Sequence, residues 1–236
     1  FQYFSNIMST GLLSPQNWPK KINARKHWIM PPKLMPRLVS TARHKIMPPT
    51  KTLRALGLRR GMAFMDAGCG PGFFTLPACR IVGASGQVLA SDISPAMVRE
   101  LRFRSKQSGI KNLLVKKSND PNIPFPDKSA DMVMLGFVLH ESAEVEVFLS
   151  GVERALRPGG RLVVSEWHPR ETEYGPPLWA RLDIGETKRL LRGSGMSIVA
   201  SWSFDDDTYF VMAHRKSRAK GVGLLFQPPE KVTRRQ

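Results

Sequence analysis

The chain has 236 residues, 42% of them apolar, and carries 36 Lys or Arg against 19 Asp or Glu, a net charge of +17. This length suits one domain with tails and supports a full core, and no apolar run of about 18 residues reads as a transmembrane helix. Two cysteines, Cys69 and Cys79, exclude a disulfide scaffold and a cysteine-rich zinc site and suit a reducing compartment, so no metal is expected.

The charge is unevenly placed. Residues 1–65 hold 12 basic and no acidic residues, residues 66–211 hold 17 basic and 18 acidic, and residues 212–236 hold 7 basic and one acidic. A neutral body thus lies between two basic ends. It lends no support to the nucleic-acid reading that a basic composition invites. Residues 1–45 are expected to be a basic, proline-rich and mostly irregular extension, because Pro15, Pro19, Pro31, Pro32 and Pro36 block helix interiors and sheet ladders. The plainest reading of that extension is a solvated tail. Three sharper ones compete with it: an Arg-rich, acid-free organelle leader, an arm that touches phosphates, or a true start at an internal methionine such as Met30 or Met35. Residues 46–215 are expected to form the folded domain and residues 216–236 a second basic tail. The expected location is the cytoplasm, or an organelle matrix if 1–45 is a leader.

From residue 50 onward the chain alternates. A short helical pattern runs over 50–56 and stops at Gly57, and Ala63 to Asp66 is an apolar strand. An apolar helix follows over 72–82, halted by Gly83, then a strand over 87–92 that ends on a carboxylate. Ser94-Pro95 opens the next helix as cap and first helical residue, and it runs to about Lys106. A third strand covers Leu113 to Val115. Asp131 to Val138 is almost unbroken apolar chain, as in a strand covered on both faces. Val145, Phe148, Leu149, Val152, Ala155 and Leu156 fall on one helical face, and Pro158-Gly159-Gly160 is expected to end that helix. A fifth strand runs over 161–167. Asp183 and Glu186 resemble a capping box before a helix over 186–192. Ile198, Ala200, Trp202 and Phe204 alternate as in a half-exposed strand, Asp205-Asp206-Asp207 turns the chain, and 208–213 returns. Strand–helix alternation predicts an α/β fold, a Rossmann-like seven-stranded and mostly parallel sheet with helices on both faces. The last two strands are joined too closely for a crossover, so they pair antiparallel as a hairpin at one edge.

The informative segment is Asp66-Ala67-Gly68-Cys69-Gly70-Pro71-Gly72, between the first strand and its helix, where ligands of open α/β sheets sit. Glycines let the backbone turn tightly and approach a ligand, and the helix start adds free N–H groups. The dinucleotide fingerprint G-x-G-x-x-G fails here, since the sixth position from Gly68 is Phe73 and from Gly70 is Thr75. The phosphate loop fails for want of a Lys. What remains is an acidic residue leading G-x-G-x-G, and a second, Asp92, closing the next strand. A carboxylate at Asp92 suits both hydroxyls of a ribose, and Asp66 suits a cationic amino group. The pair fits a ligand with a ribose and an ammonium but no pyrophosphate, such as S-adenosylmethionine.

At this point the chain resembles a known family. From Met47 to Met212 it is similar to class I S-adenosylmethionine-dependent methyltransferases, most of all to the ubiquinone/menaquinone-type branch. MDAGCGPGFFTLPA resembles that family's first motif and VLASDIS its second. NDPNIPFPDKSADMVMLGFVLHE resembles the adenine-contact segment with the fourth strand, and RALRPGGRLVVSEW the fifth-strand motif. The resemblance implies S-adenosyl-L-methionine as cofactor. It implies that Asp66, Ala67, Gly68, Cys69, Gly70 and Phe73 surround its methionine part, that Asp92 takes the ribose, and that Ile93 and Met97 pack on the adenine. The family has an Asp four residues before its aliphatic-Pro-Phe triplet to meet the adenine amino group. Before Ile123-Pro124-Phe125 that position is Asn119, with Asp120 beside it, and the two stand as alternatives. Gly136 and Phe137 are implied to lie near the transferred methyl. His140 and Glu141 are candidate catalytic residues, since His titrates near neutrality; the competing reading is a satisfied loop histidine, with Glu141 starting a helix. Glu166, Trp167, His168 and Tyr174 are read equally as pocket lining or as packing. Cys69 is a small packed residue, with no His nearby in sequence. The implied activity is methyl transfer to a small-molecule acceptor by a monomer or homodimer. The weaker alternatives are an RNA acceptor held by the basic ends, a non-catalytic cofactor-binding homologue, and a nicotinamide oxidoreductase.

Overall fold

The computed structural model describes residues 28–215; the aromatic residues Phe4 and Trp18 and the whole 216–236 tail lie outside the described residues. The described part of the N-terminal stretch differs from the irregular chain expected of it. A turn of 3-10 helix at Pro32–Leu34 leads into α1 (Met35–Leu38), α2 (Thr41–Ile46) and α3 (Pro49–Ala55). Proline density did not prevent this, because the helical prolines stand in first turns. There the missing N–H has no intrahelical partner to lose and the fixed φ is already helical. Ser40 caps α2 by accepting from the Arg43 N–H at 3.2 Å.

The remaining elements are β1 (Ala63–Ala67), α4 (Thr75–Val82), β2 (Gln87–Asp92), α5 (Pro95–Gln107), β3 (Leu113–Lys117), β4 (Ala130–Gly136), α6 (Val145–Ala155), β5 (Leu156–Trp167), α7 (Ile184–Gly193), β6 (Met196–Ser203) and β7 (Thr208–Arg215). They form one seven-stranded sheet in the order β3-β2-β1-β4-β5-β7-β6. The first five strands pair parallel, and β7 lies antiparallel between β5 and β6. The expected parallel sheet with an antiparallel C-terminal pair is therefore what forms. Because β1 is flanked by β2 on one side and β4 on the other, the connections diverge there and leave a crevice at the strands' carboxyl ends.

Period-two alternation splits the buried strand residues between two faces. Val133, Leu135, Leu162 and Val164 join Phe148, Leu149 and Val152 of α6 and Leu191 of α7 on one face. Met132, Met134, Val163 and Phe210 join Leu53 of α3 and Ala78 and Val82 of α4 on the other. Covering on both faces is why β4 reads as a continuous apolar run. Two helix ends follow their sequence signals: Ser94 accepts from the Met97 N–H, and Asp183 accepts from the Glu186 N–H at 2.7 Å. Pro158-Gly159-Gly160 does not end α6. The helix stops at Ala155 and β5 begins at once with Leu156. Ala130 pairs with Leu156 but Met132 with Arg161, so residues 157–160 bulge out of the ladder.

Candidate functional site

The glycine-rich turn closes over the carboxyl end of β1. Gly68 and Cys69 both donate their N–H to the Ser91 carbonyl of β2, at 2.8 and 3.0 Å, and Gly72 donates to Cys69. The Gly70 N–H goes to Asp92 Oδ2 at 2.8 Å. These amides are engaged within the protein and Pro71 has none, so the loop is no cradle for a pyrophosphate. Gly68 is the tightest point. Its φ is +79°, and a Cβ there would stand 2.3 Å from Val138 Cγ2. The Val138 side chain thus lies against the Gly68 backbone where any Cβ would clash with it, and the positive φ also favours glycine.

Two carboxylates flank the turn. Asp92 ends β2 with one oxygen on the Gly70 N–H and the other on the Ser94 N–H, each at 2.8 Å. Burial raises its pKa above the ordinary carboxylate range, against the pull of these two bonds. A carboxylate has about four lone-pair directions, so two donors leave acceptor capacity. Asp66 lies deeper and takes the Thr75 hydroxyl at 2.5 Å. Burial pushes its carboxyl up to about 7, opposed by Thr75 and by the Arg43 guanidinium. Arg43 comes from α2, sits 4.0 Å over the Phe73 ring and 5.2 Å over the Phe137 ring, and donates to the Leu38 carbonyl. Burial lowers its own pKa to about 10.

Gly68, Asp92, Ile93, Asp120 and Glu141 of the expected residues line one crevice, together with Ser91, Ser118, Asn122, Ile123, Val138, Ser142 and Phe148. Of the two alternatives beside the triplet, Asp120 faces this crevice, with its oxygens on the Ser142 hydroxyl and the Ala143 N–H. Asn119, exposed like Asp120, accepts from Lys117 and is not part of the crevice lining. Met97 and Cys69 are buried in the core, and burial raises the Cys69 thiol well above its ordinary pKa, as befits a packed residue. Ala67 is buried with the apolar cluster under α6. Phe73 packs edge-on against Phe74 and His44. Gly136 lies under the Phe74 ring, where a Cβ would meet it at 2.8 Å. Phe137 follows with φ +63°, a left-handed value rare for a bulky residue, and its ring lies 5.5 Å from Trp167. Strain of this kind persists where surrounding packing enforces it, often at a site.

Beyond Phe137 the chain makes a 3-10 turn, Leu139–Glu141, and Glu141 starts no helix; α6 begins only at Val145. His140 is buried, and its Nδ1 lies 2.8 Å from Glu166 Oε2, while its backbone N–H reaches Glu166 Oε1 at 3.2 Å. Glu166 is itself fully buried near the end of β5. Burial works to lower the His140 pKa, but Glu166 and then Glu141 outweigh it, and the imidazole titrates above its ordinary value. Burial also pushes Glu141 up to about 7. The N-terminal stretch covers this corner: the Met30 N–H donates to Glu141 Oε1 at 3.1 Å, and the Trp28 ring lies 5.9 Å from that of His140. Sequence reading missed Val138, Ser142, Phe148, Trp28 and Arg43. No sequence signal marks them as site residues, and only packing brings them here.

His168 donates to or accepts from Ser203 at 3.0 Å. Arg181 holds the loop after β5, donating to the carbonyls of His168, Arg170, Tyr174 and Pro176 and to the Thr172 hydroxyl. Among the described residues no cluster of His, Cys, Asp and Glu suits a metal ion, and no helix is long and apolar enough to cross a membrane.

Comparison with known proteins gives a consistent picture. Residues 58–203 match the family described as methyltransferase domain. The chain is 35% identical over 117 residues to a ubiquinone/menaquinone biosynthesis C-methyltransferase, UbiE, of Pasteurella multocida, covering 49% of this chain and 44% of that protein. It is 32% identical over 163 residues to the UbiE of Marinomonas sp., covering 69% and 62%. The chain spans about half the length of most of the curated relatives it matches. A solved structure of a SAM-dependent methyltransferase from Aquifex aeolicus superposes with a TM-score of 0.75 at 28% identity, covering 79% of this chain and 99% of that one. The [4+2]-cyclase SpnF shares the fold alone, with a TM-score of 0.65 at 16% identity.

Proposed function

The chain belongs to the methyltransferase-domain family, and from that membership we propose that it moves a methyl group from S-adenosylmethionine to a small-molecule acceptor. The observation that carries this reading is the pairing of Gly68 with Asp92 across the switch-point crevice. The position a Cβ would take at Gly68 is filled by Val138, and the Asp92 carboxylate holds the glycine turn through Gly70 while keeping acceptor capacity. That acceptor suits a ribose diol. The loop amides, engaged internally, do not suit a pyrophosphate, which sets a nicotinamide dinucleotide aside.

In this reading Asp92 accepts from the ribose, and Ile93 with Ile123 packs the adenine. Asp120 is the nearer of the two candidates for the adenine amino group. Asp66 and the Gly68–Gly70 turn face the methionine end, where Asp66 balances a cationic ammonium. When bound, S-adenosylmethionine supplies an electrophilic methyl on a sulfonium. The protein's share is to hold the acceptor in line with that methyl and to exclude water. The UbiE relatives are described as acting by C-methylation in ubiquinone and menaquinone synthesis, so a quinol-type ring is the first acceptor to offer. The neutral body between basic ends favours a small acceptor over RNA.

The test is calorimetric titration with S-adenosylmethionine, S-adenosylhomocysteine and NADH in parallel. Binding of both sulfur compounds and none of NADH is expected. Absence of binding by either sulfur compound would overturn the reading.

A further inference from the structure

The acceptor side of the site has no assigned chemistry, and His140 is its most unusual group. Its imidazole is buried, yet Nε2 has no hydrogen-bond partner. A buried polar atom left without a partner carries its full desolvation penalty, and such an atom calls for a functional account. The other ring nitrogen is firmly held, because Glu166 Oε2 takes Nδ1 at 2.8 Å and Glu166 Oε1 takes the His140 backbone N–H. A carboxylate on Nδ1 keeps the proton of the neutral ring there and leaves the Nε2 lone pair free. Nε2 lies 4.0 Å from Glu141 Oε1, and Glu141 and Val138 on either side of His140 line the crevice. The Trp28 ring lies near the imidazole with an interplanar angle of 31°, which shows that a flat aromatic ring fits against it. Phe137 and Trp167 add aromatic surface on the strand side.

Resting on the methyltransferase reading above, we infer that His140 Nε2 is the proton acceptor for an aromatic acceptor bearing a hydroxyl, a phenol or quinol, with Glu166 as its positioning residue. The hydroxyl O–H bond breaks, the proton forms a new N–H bond at Nε2, and the electron pair stays on the acceptor oxygen, so that neutral imidazole becomes imidazolium and the hydroxyl becomes an oxyanion. Glu166 holds the ring and balances the imidazolium. The charged groups facing His140 are Glu166 from β5, Glu141 from its own turn, and Arg181 from beyond the Leu178–Ala180 turn, whose charge opposes the two carboxylates. The Trp28 ring packs against the imidazole with 5.9 Å between centroids, and the acceptor takes the place of that ring.

The test uses the full chain saturated with S-adenosylhomocysteine and ring-labelled at histidine. The His140 titration is followed by NMR in the wild type, Glu166→Gln and Glu166→Asp. In parallel, turnover of S-adenosylmethionine is measured against pH with 1,4-naphthohydroquinone and with its dimethyl ether, which has no hydroxyl. The wild-type neutral ring is expected to carry its proton on Nδ1. Glu166→Gln should lower the His140 pKa, move the acidic limb of kcat down with it and reduce the plateau, and Glu166→Asp should restore the limb. His140→Asn should abolish the limb and lower kcat by about 10²–10⁴. The dimethyl ether should give no turnover. If His140→Asn does not fold, the two Glu166 variants decide the matter. An acidic limb that stays put while the NMR titration moves overturns the inference. So does turnover of the ether at the quinol's rate, and so does a protein that binds S-adenosylhomocysteine but leaves the quinol untouched. Failure to bind S-adenosylhomocysteine at all overturns the methyltransferase reading instead.

Discussion

Gly68→Ala probes the closest approach in the site. The backbone there has φ +79°, which costs an L-residue about 1–2 kcal/mol relative to glycine. The new methyl would stand 2.3 Å from Val138 Cγ2 and 2.7 Å from its Cβ. Val138 is only half-buried, so it moves at a cost of about 1–3 kcal/mol, the usual range for overpacking. The two terms sum to about 2–5 kcal/mol. At about 2–4 °C per kcal/mol for a domain of this size, Tm falls by on the order of 10 °C. Because Gly68 and Val138 both line the crevice, affinity for S-adenosylhomocysteine falls as well. A double-mutant cycle with Val138→Ala separates the two terms. Urea denaturation of the four proteins should show the double variant recovering about 1–3 kcal/mol of the Gly68→Ala loss, the steric share, while the φ share persists. Strictly additive effects would refute the reasoning, since they would mean that Val138 does not meet the alanine methyl.

Asp92→Asn should weaken S-adenosylhomocysteine binding by about 1–3 kcal/mol and lower the melt, since an amide cannot accept at both oxygens the bonds that Gly70 and Ser94 now give; calorimetry and thermal unfolding together check this. Asp66, raised to about 7 by burial, keeps its proton in the folded protein at pH values where the unfolded chain has lost it. Its contribution to stability therefore declines as pH rises from about 4 to about 7, and Asp66→Asn should flatten that part of a stability–pH curve. If Asp66 meets the cofactor's ammonium, S-adenosylmethionine should bind more weakly at pH 6 than at pH 8, with proton release visible as a dependence of the calorimetric heat on the buffer's ionisation enthalpy. Asp183→Ala removes the cap of α7 and should cost about 0.5–2 kcal/mol in urea denaturation without changing cofactor affinity.

The sequence by itself determined the strand–helix alternation, the parallel sheet with its antiparallel C-terminal pair, and the glycine turn with Asp92 as a pair. These are written in local periods, caps and spacing. Val145, Phe148, Leu149 and Val152 show their face by their intervals, and Asp183 and Ser94 announce helix starts by residue type. Proline density misled over 32–45, because a count of prolines is blind to their position in a helix, and in a first turn they fit. The Pro158-Gly159-Gly160 signal was likewise a bulge rather than a helix end.

Only the tertiary structure decided which groups meet. Strand order places β4 beside β5, so that the turn after one and the end of the other bring His140 onto Glu166, 26 positions away. The pairing of β1 with β2 carries Asp92 to the Gly70 amide, 22 positions away. Packing of α2 against Phe73 and Phe137 sets Arg43 near Asp66, and the turn after β4 presses Val138 against Gly68. A carboxylate or an imidazole looks the same in sequence whether it caps a turn, faces solvent or holds a partner. Its partner and its burial come from long-range packing, and these decide its charge and its chemistry.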